Sequence, residues 1–336
     1  MQTSNDIVLS VENLQVHFHG EGPVAKAVDG IDYQIRGQQT VCIVGESGCG
    51  KTVTALAVMG LLPQPPAQIA AGAIYFRGQS LLEMSPAELR AVRGRGIAMV
   101  FQEPMTSLNP VFTIGDQISE MIRTHEPVSA SDAARRVLQL LDDVGIPDPA
   151  RRIKDYPHQL SGGQRQRVMI AMALACEPDL IIADEPTTAL DVTVQAQILK
   201  LLRDLQARKK MAIQYITHDL GVVAAIADQV YVMYAGVIAE QGTTDHIFKN
   251  AAHPYTRALL AALPTRNKRG LRLYSIPGSV PHPAYKPKGC PFHPRCELRQ
   301  PSCMEDFPQL CDFGKGHLVR CPITFADRGA GKQRLT

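Results

Sequence analysis

The chain has 336 residues, 45% of them apolar, and a formal charge of +3, enough for one large core with an appendage or for two modest domains. No run approaches the roughly 18 to 20 uninterrupted apolar residues of a membrane-spanning helix, and the opening MQTSNDIVLS lacks the basic start and apolar segment of a secretory signal, so the chain reads as cytosolic. The charge is uneven: from Pro264 to Thr336 there are 13 Lys and Arg against 5 Asp and Glu, leaving 22 against 27 before it, and such a basic tail suits acidic headgroups, nucleic acid or plain solvent.

In chain order, IVLSVENLQVHF, AVDGIDYQI and TVCIVG are β-branched runs bounded by turn residues, predicting a small sheet that feeds a buried strand. TVTALAVMGLL, after Lys51, is helical in residue choice and stops before PQPP, where prolines end a helix. From about Met105 to Ala150, DQISEMIRTH and SDAARRVLQLLDDVGI place apolar residues three and four apart, predicting an inserted helical lobe. DLIIAD, AIQYITHD and QVYVMYAG are short apolar runs separated by helical stretches such as VTVQAQILKLLRDLQARK, the pattern of parallel strands buried on both faces. The fold class expected is α/β. After Leu263 the chain turns rich in proline, glycine and cysteine. Five of the eight cysteines, Cys290, Cys296, Cys303, Cys311 and Cys321, fall within 32 residues, while Cys42, Cys49 and Cys176 are scattered. In a cytosolic chain such a cluster argues for a metal rather than disulfides.

Three segments carry chemistry. Gly45-Glu46-Ser47-Gly48-Cys49-Gly50-Lys51-Thr52 fits the phosphate-loop pattern between a strand and a helix, where glycines let backbone N–H groups face phosphates, Lys51 meets the β- and γ-phosphates and Thr52 gives its hydroxyl to Mg²⁺. Leu180-Ile181-Ile182-Ala183-Asp184-Glu185 ends an apolar strand in two acids: Asp184 suits Mg²⁺, and Glu185 suits polarising an attacking water. Leu160-Ser161-Gly162-Gly163-Gln164 opens a helix, an anion site of exposed amides or, more plainly, a serine cap.

With these motifs in this order, the chain resembles the ATP-binding subunits of ABC transporters. The resemblance makes Ser161, Gly162, Gly163 and Gln164 the signature motif that binds the γ-phosphate held by a partner subunit. Gln102 in MVFQEP matches the glutamine that senses Mg²⁺ and contacts the membrane subunits. Ala189-Leu190-Asp191 matches the D-loop, His218 in YITHD the switch histidine, and Phe18 the aromatic that stacks on adenine. On the residues alone, His218 reads as a cap or core histidine and Phe18 as a core aromatic. The segment HPYTRALLAALP, from His253 to Pro264, and the cysteine-rich tail further resemble the ATPases of dipeptide and oligopeptide importers. That resemblance implies a 4Fe–4S cluster on Cys290, Cys296, Cys303 and Cys321, with Cys311 outside the pattern. Without it, the thiolates read as a zinc site.

The organisation implied is a nucleotide-binding body over residues 1–263, its helical subdomain at about 105–175, and a cysteine-rich region over 264–336. One copy of each motif is present, so the resemblance implies closure against a second, related ATPase. It also implies two transmembrane permeases, an external peptide-binding protein, no specific nucleic acid, and a peripheral place on the cytoplasmic face of the membrane. Nickel or another small solute is the alternative cargo. A soluble ABC ATPase acting on nucleic acid or ribosomes, which usually carries two cassettes or long coiled-coil insertions, is the rival class.

Overall fold

A computed structural model describes residues 6–188, 190–263 and 274–324. The chain divides into two compact units. The first comprises the described residues up to Leu9, with Ile35–Gln39 and Phe76–Ile216; the second comprises Ser10–Gln34, Thr40–Tyr75 and the described residues from Thr217 onward.

In the first unit, strands Ile97–Val100, Leu180–Asp184 and Ala212–Thr217 run parallel, with Ile97 opposite Leu180 and Leu180 opposite Ala212. All five residues of LIIAD and all six of AIQYIT are buried, as strands covered on both faces require. The predicted helical lobe is there: Ile114–His125 and Ala130–Asp143 start at Thr113 and Ser129, whose hydroxyls accept the amides of Asp116 and Asp132. Their apolar stripes, Ile114, Ile118 and Ile122 on one and Val137, Leu140 and Leu141 on the other, are buried. Helix Gly162–Leu174 packs on both.

Ala25–Arg36, Ile7–Phe18 and Ala67–Phe76, most of whose residues belong to the second unit, are neighbours in one sheet. The strand AQIAAGAIYF escapes a pattern reading because alanine and glycine have little strand preference. A second sheet pairs Thr40–Val44 parallel to Gln229–Tyr234, which pairs antiparallel with Val237–Thr243. The helix after the glycine loop is Lys51–Val58, four residues shorter at its end than TVTALAVMGLL predicts, because Gly60 takes a φ of 61° that right-handed helix excludes.

The tail, rich in proline, glycine and cysteine, is built onto this sheet. Leu318–Val319 pairs antiparallel with Val237–Thr243, Glu240 facing Val319. Arg320 donates to the Ile238 carbonyl at 2.8 Å and the Pro308 carbonyl at 3.0 Å. Beneath them the fully buried Glu240 accepts from the Ala252 amide at 2.7 Å, the His253 amide at 3.0 Å and His317 Nε2 at 2.6 Å. Burial pushes the Glu240 carboxyl up, but its hydrogen bonds outweigh that and hold it below the usual carboxylate range.

Candidate nucleotide site

In the second unit, the buried strand Thr40–Val44 delivers the chain into residues 45–50, and Gly50 caps helix Lys51–Val58 without any side-chain bond. Two glycines here are obligatory. A Cβ on Gly45 would lie 2.1 Å from the Met233 carbonyl oxygen, and one on Gly50, at φ 107°, would lie 2.5 Å from that of Ala27. Ser47 and Gly48 form the exposed tip, with Thr52 exposed on the first helical turn. The first turn of a helix leaves its amides without intrahelical acceptors, which gives anions a place to bind. Lys51 is 5% exposed, its ammonium donating to the Gly45 carbonyl at 2.9 Å and the Glu46 carbonyl at 3.0 Å. Cys49 is a buried wall residue whose thiol burial pushes up. Phe18 ends its strand half-buried, and His218 is an exposed residue just before Asp219, which caps Leu220–Ile226.

In the first unit, Asp184 is the buried last residue of its strand, and Glu185 turns left-handed at φ 43°, an uncommon conformation for a residue with a Cβ and one that gathers at functional positions. The Glu185 amide donates to the Ile216 carbonyl at 2.9 Å. Its carboxylate accepts from Gln102 Nε2 at 3.3 Å and Thr188 Oγ1 at 2.9 Å. The structure thus brings Gln102 and Glu185 together beside Asp184, a set of hard oxygen donors that suits Mg²⁺. Ser161 caps helix Gly162–Leu174 in a capping box: its hydroxyl accepts the Gln164 amide at 3.3 Å, and Gln164 Oε1 accepts the Ser161 amide at 3.0 Å. Cap and anion site coexist, since Ser161 and Gly162 at this helix entrance stay exposed. Asp191 also caps a helix, accepting from the Thr193 and Val194 amides; Ala189 lies outside the described residues.

Among the described residues, no three His, Cys, Asp or Glu side chains are arranged as ligands of a metal. The cysteines expected to bind a cluster are nevertheless neighbours. Cys303 and Cys321 are in one buried group with Ala252, Val319 and Ile323, and Cys290 packs against it. The Cys290 amide donates to the Cys303 carbonyl at 2.8 Å. Burial above all pushes the Cys290 thiol up to about 11. Cys311 is exposed; its thiol donates to the Gln309 carbonyl and its backbone pairs opposite Val319.

Two residues that motif reading missed touch the phosphate loop. In the HPYT segment His253 caps helix Pro254–Ala261, its Nδ1 accepting the Tyr255 amide at 3.0 Å. This aims Tyr255 so that its hydroxyl accepts the Glu46 amide at 2.9 Å. From the tail, Arg295 grips the Glu46 carboxylate with two bonds, at 2.6 and 2.9 Å. No local signal marks either contact, which spans 209 residues in one case and 249 in the other.

Comparison with known proteins shows the family. The ABC transporter family profile matches residues 28–188, and that of the oligopeptide/dipeptide transporter C-terminal region matches residues 239–303. The chain is 49% identical to the dipeptide transport ATP-binding protein DppD of Bacillus subtilis, over 94% of each chain. It is 48% identical to DppD of Escherichia coli, over 96% of this chain and 98% of that one. Among solved structures, the dimeric post-hydrolysis state of the ATP-binding cassette MJ0796 bound to ADP and Pi aligns with a TM-score of 0.63 at 26% identity, over 70% of this chain and 98% of that one. CbiO1 of Clostridium perfringens, part of an ABC transporter complex, aligns with a TM-score of 0.61 at 29% identity, over 73% and 92%. A phosphate loop, a strand ending in two acids and a serine-capped glycine helix, joined to this C-terminal region at such identity, mean that the chain belongs to the ABC transporter ATPases, in the branch of the oligopeptide/dipeptide transporter ATP-binding subunits.

Proposed function

We propose that this chain hydrolyses ATP to drive uptake of dipeptides or oligopeptides across a membrane. The observation that carries the proposal is the presence in one chain of both matched regions, the ABC transporter region at 28–188 and the peptide-transporter C-terminal region at 239–303. The dipeptide transport relatives, 48–49% identical over nearly their whole length, favour peptide cargo over nickel.

In this reading Phe18 stacks on adenine, and the amides of residues 45–52 with the Lys51 ammonium take the phosphates. Thr52, Gln102 and Asp184 hold Mg²⁺, which neutralises phosphate charge when bound. Glu185, oriented by Gln102 and Thr188, polarises the attacking water, and His218 contacts the γ-phosphate. Ser161, Gly162, Gly163 and Gln164, together with Asp191, serve a nucleotide held by a second, related ATPase subunit, so two chains close head to tail around ATP. Preorganised donors at the closed interface then lower the barrier to water attack. Two permease subunits, an external peptide-binding protein and a peripheral site on the cytoplasmic face of the membrane complete the assembly. Among the described residues no helix is long and apolar enough to cross a membrane, so the permeases supply the path.

The tail thiols Cys290, Cys296, Cys303 and Cys321 hold a 4Fe–4S cluster with a structural role. The support is an all-cysteine donor set, the chemistry such clusters take, with three members in or against one buried group. Zinc is the alternative occupant.

The reading is tested with Glu185→Gln in the purified complex. Turnover falls at least about a hundredfold, the scale of losing a positioned base, while ATP binding persists and a closed ATP-bound pair accumulates. Near-normal turnover removes Glu185 from that role.

A further inference from the structure

Glu46 presents an electrostatic problem. A carboxylate inside a loop that receives a polyphosphate repels its ligand, unless something turns the charge away and neutralises it. In this chain the tail does so. Arg295 Nη1 and Nη2 meet Glu46 Oε2 and Oε1 at 2.6 and 2.9 Å, a fork-to-fork pair. The guanidinium is fully engaged: Nε donates to the Pro277 carbonyl at 2.8 Å, Nη2 to the Ile276 carbonyl at 3.4 Å, and Nη1 to the Tyr234 hydroxyl at 3.3 Å. The Arg295 side chain is 5% exposed and that of Glu46 30%, so the pair is screened less than one at the open surface.

A second grip lies alongside. The Tyr255 hydroxyl that accepts the Glu46 amide is held by aromatic packing, its ring 4.6 Å from Tyr234 and 5.3 Å from Phe292. Phe292 meets Tyr234 edge-on at 5.2 Å and is buried. Phe292 and Arg295 belong to one tight turn, residues 290–296, closed by the Cys290 carbonyl accepting from the His293 amide and by the His293 carbonyl accepting from the Cys296 amide. The turn bounded by two of the tail cysteines is therefore the turn that holds the phosphate loop by a side chain and, through Tyr255, by its backbone.

We propose that Arg295 is a positioning residue for nucleotide binding, through which the cysteine-rich tail sets the geometry and charge of the phosphate loop at Glu46. Folding of the tail and affinity for ATP are then linked properties: whatever disorders the turn at residues 290–296 frees the Glu46 carboxylate toward the phosphates. The inference rests on residues 45–52 being the phosphate loop.

The test is a titration of the full-length chain with a fluorescent ATP analogue, with thermal melting and iron content measured on each variant. Arg295→Gln weakens nucleotide affinity roughly tenfold, within the range typical of coupling between sites. Arg295→Lys, which keeps the charge but loses the fork, falls between it and wild type. Glu46→Gln probes the same contact from the loop without touching the tail, and the Glu46→Gln/Arg295→Gln double variant binds no more weakly than Arg295→Gln alone, because both changes remove one interaction. Wild-type affinity in Arg295→Gln with a lowered melting temperature makes the pair a mere staple and overturns the inference, as do single losses that multiply in the double variant. Lys51→Ala separates the two readings: if it loses ATP while Arg295→Gln does not, only this inference fails; if it keeps wild-type affinity, the phosphate-loop reading itself fails.

Discussion

The phosphate loop and the cysteine-rich tail touch at Glu46, yet they are specified in opposite ways. The loop is written in eight consecutive residues, because its job is done by backbone: glycines where a Cβ would strike the Met233 or Ala27 carbonyl, then a helix whose N-terminus has no side-chain cap. The tail has few regular elements and is specified by contacts far along the chain: Val319 against Glu240, His317 against Glu240, and Arg295 against Glu46. A locally encoded element is recognisable from sequence. One encoded at long range depends on every anchor holding.

That contrast is sharpest at the loop. Lys51→Ala removes the cation from the proposed anion site, so ATP affinity falls by at least about a hundredfold, since charge-assisted phosphate contacts are the strong ones, and melting of the isolated chain falls too, because the buried ammonium also satisfies the Gly45 and Glu46 carbonyls. Equilibrium binding checks this, and retained affinity places the nucleotide elsewhere.

The tail fails differently. The proposed cluster predicts that protein prepared anaerobically is brown, with a broad absorption near about 400 nm from thiolate-to-iron charge transfer. Cys→Ser at 290, 296, 303 or 321 bleaches it and exposes the tail to protease, whereas the same change at the exposed Cys311 leaves both intact. One zinc and no iron keeps the thiolate site but replaces the cluster; no metal at all removes both.

The tail's anchor on the sheet gives the next effect. Glu240→Ala leaves His317 and the Ala252 and His253 amides without their acceptor, and breaking a buried charged network costs about 3–5 kcal/mol. Denaturant melts of the full chain measure it, and a loss below about 1 kcal/mol, the worth of a surface pair, contradicts the buried-network account.

Acid acts on the same anchor more gently. Burial pulls His253 down from 6.5 to about 4, so below pH 6.5 the unfolded chain binds a proton that the folded chain refuses. Stability is therefore full above that pH and declines by about 3 kcal/mol as the pH falls toward 4, at 1.36 kcal/mol per pKa unit. His253→Asn, which keeps a capping side chain, flattens that slope; an unchanged slope in the variant assigns the acid sensitivity to another group.

Legibility in the sequence follows the same division. Strands LIIAD and AIQYIT announce themselves because burial on both faces demands unbroken apolar runs, and the helical lobe shows its 3.6-residue stripe. AQIAAGAIYF is silent, its alanines and glycine packing by position rather than by preference. Among site residues, Lys51, Asp184 and Glu185 stand out by spacing from their strands, whereas Ser161 and Asp191 look like ordinary helix caps and structurally are caps as well. Tyr255 and Arg295 were illegible because their partner is more than 200 residues away, and no periodicity encodes such a contact.

The central claim, that ATP hydrolysis by this chain drives peptide uptake, is tested most directly by transport. The complete complex is reconstituted in vesicles with its binding protein outside and ATP within, and entry of a labelled dipeptide is followed alongside phosphate release. The account predicts that peptide accumulates only with ATP, that peptide stimulates hydrolysis, and that Glu185→Gln stops both. Hydrolysis indifferent to peptide, or stimulated by nickel with no peptide entry, contradicts it.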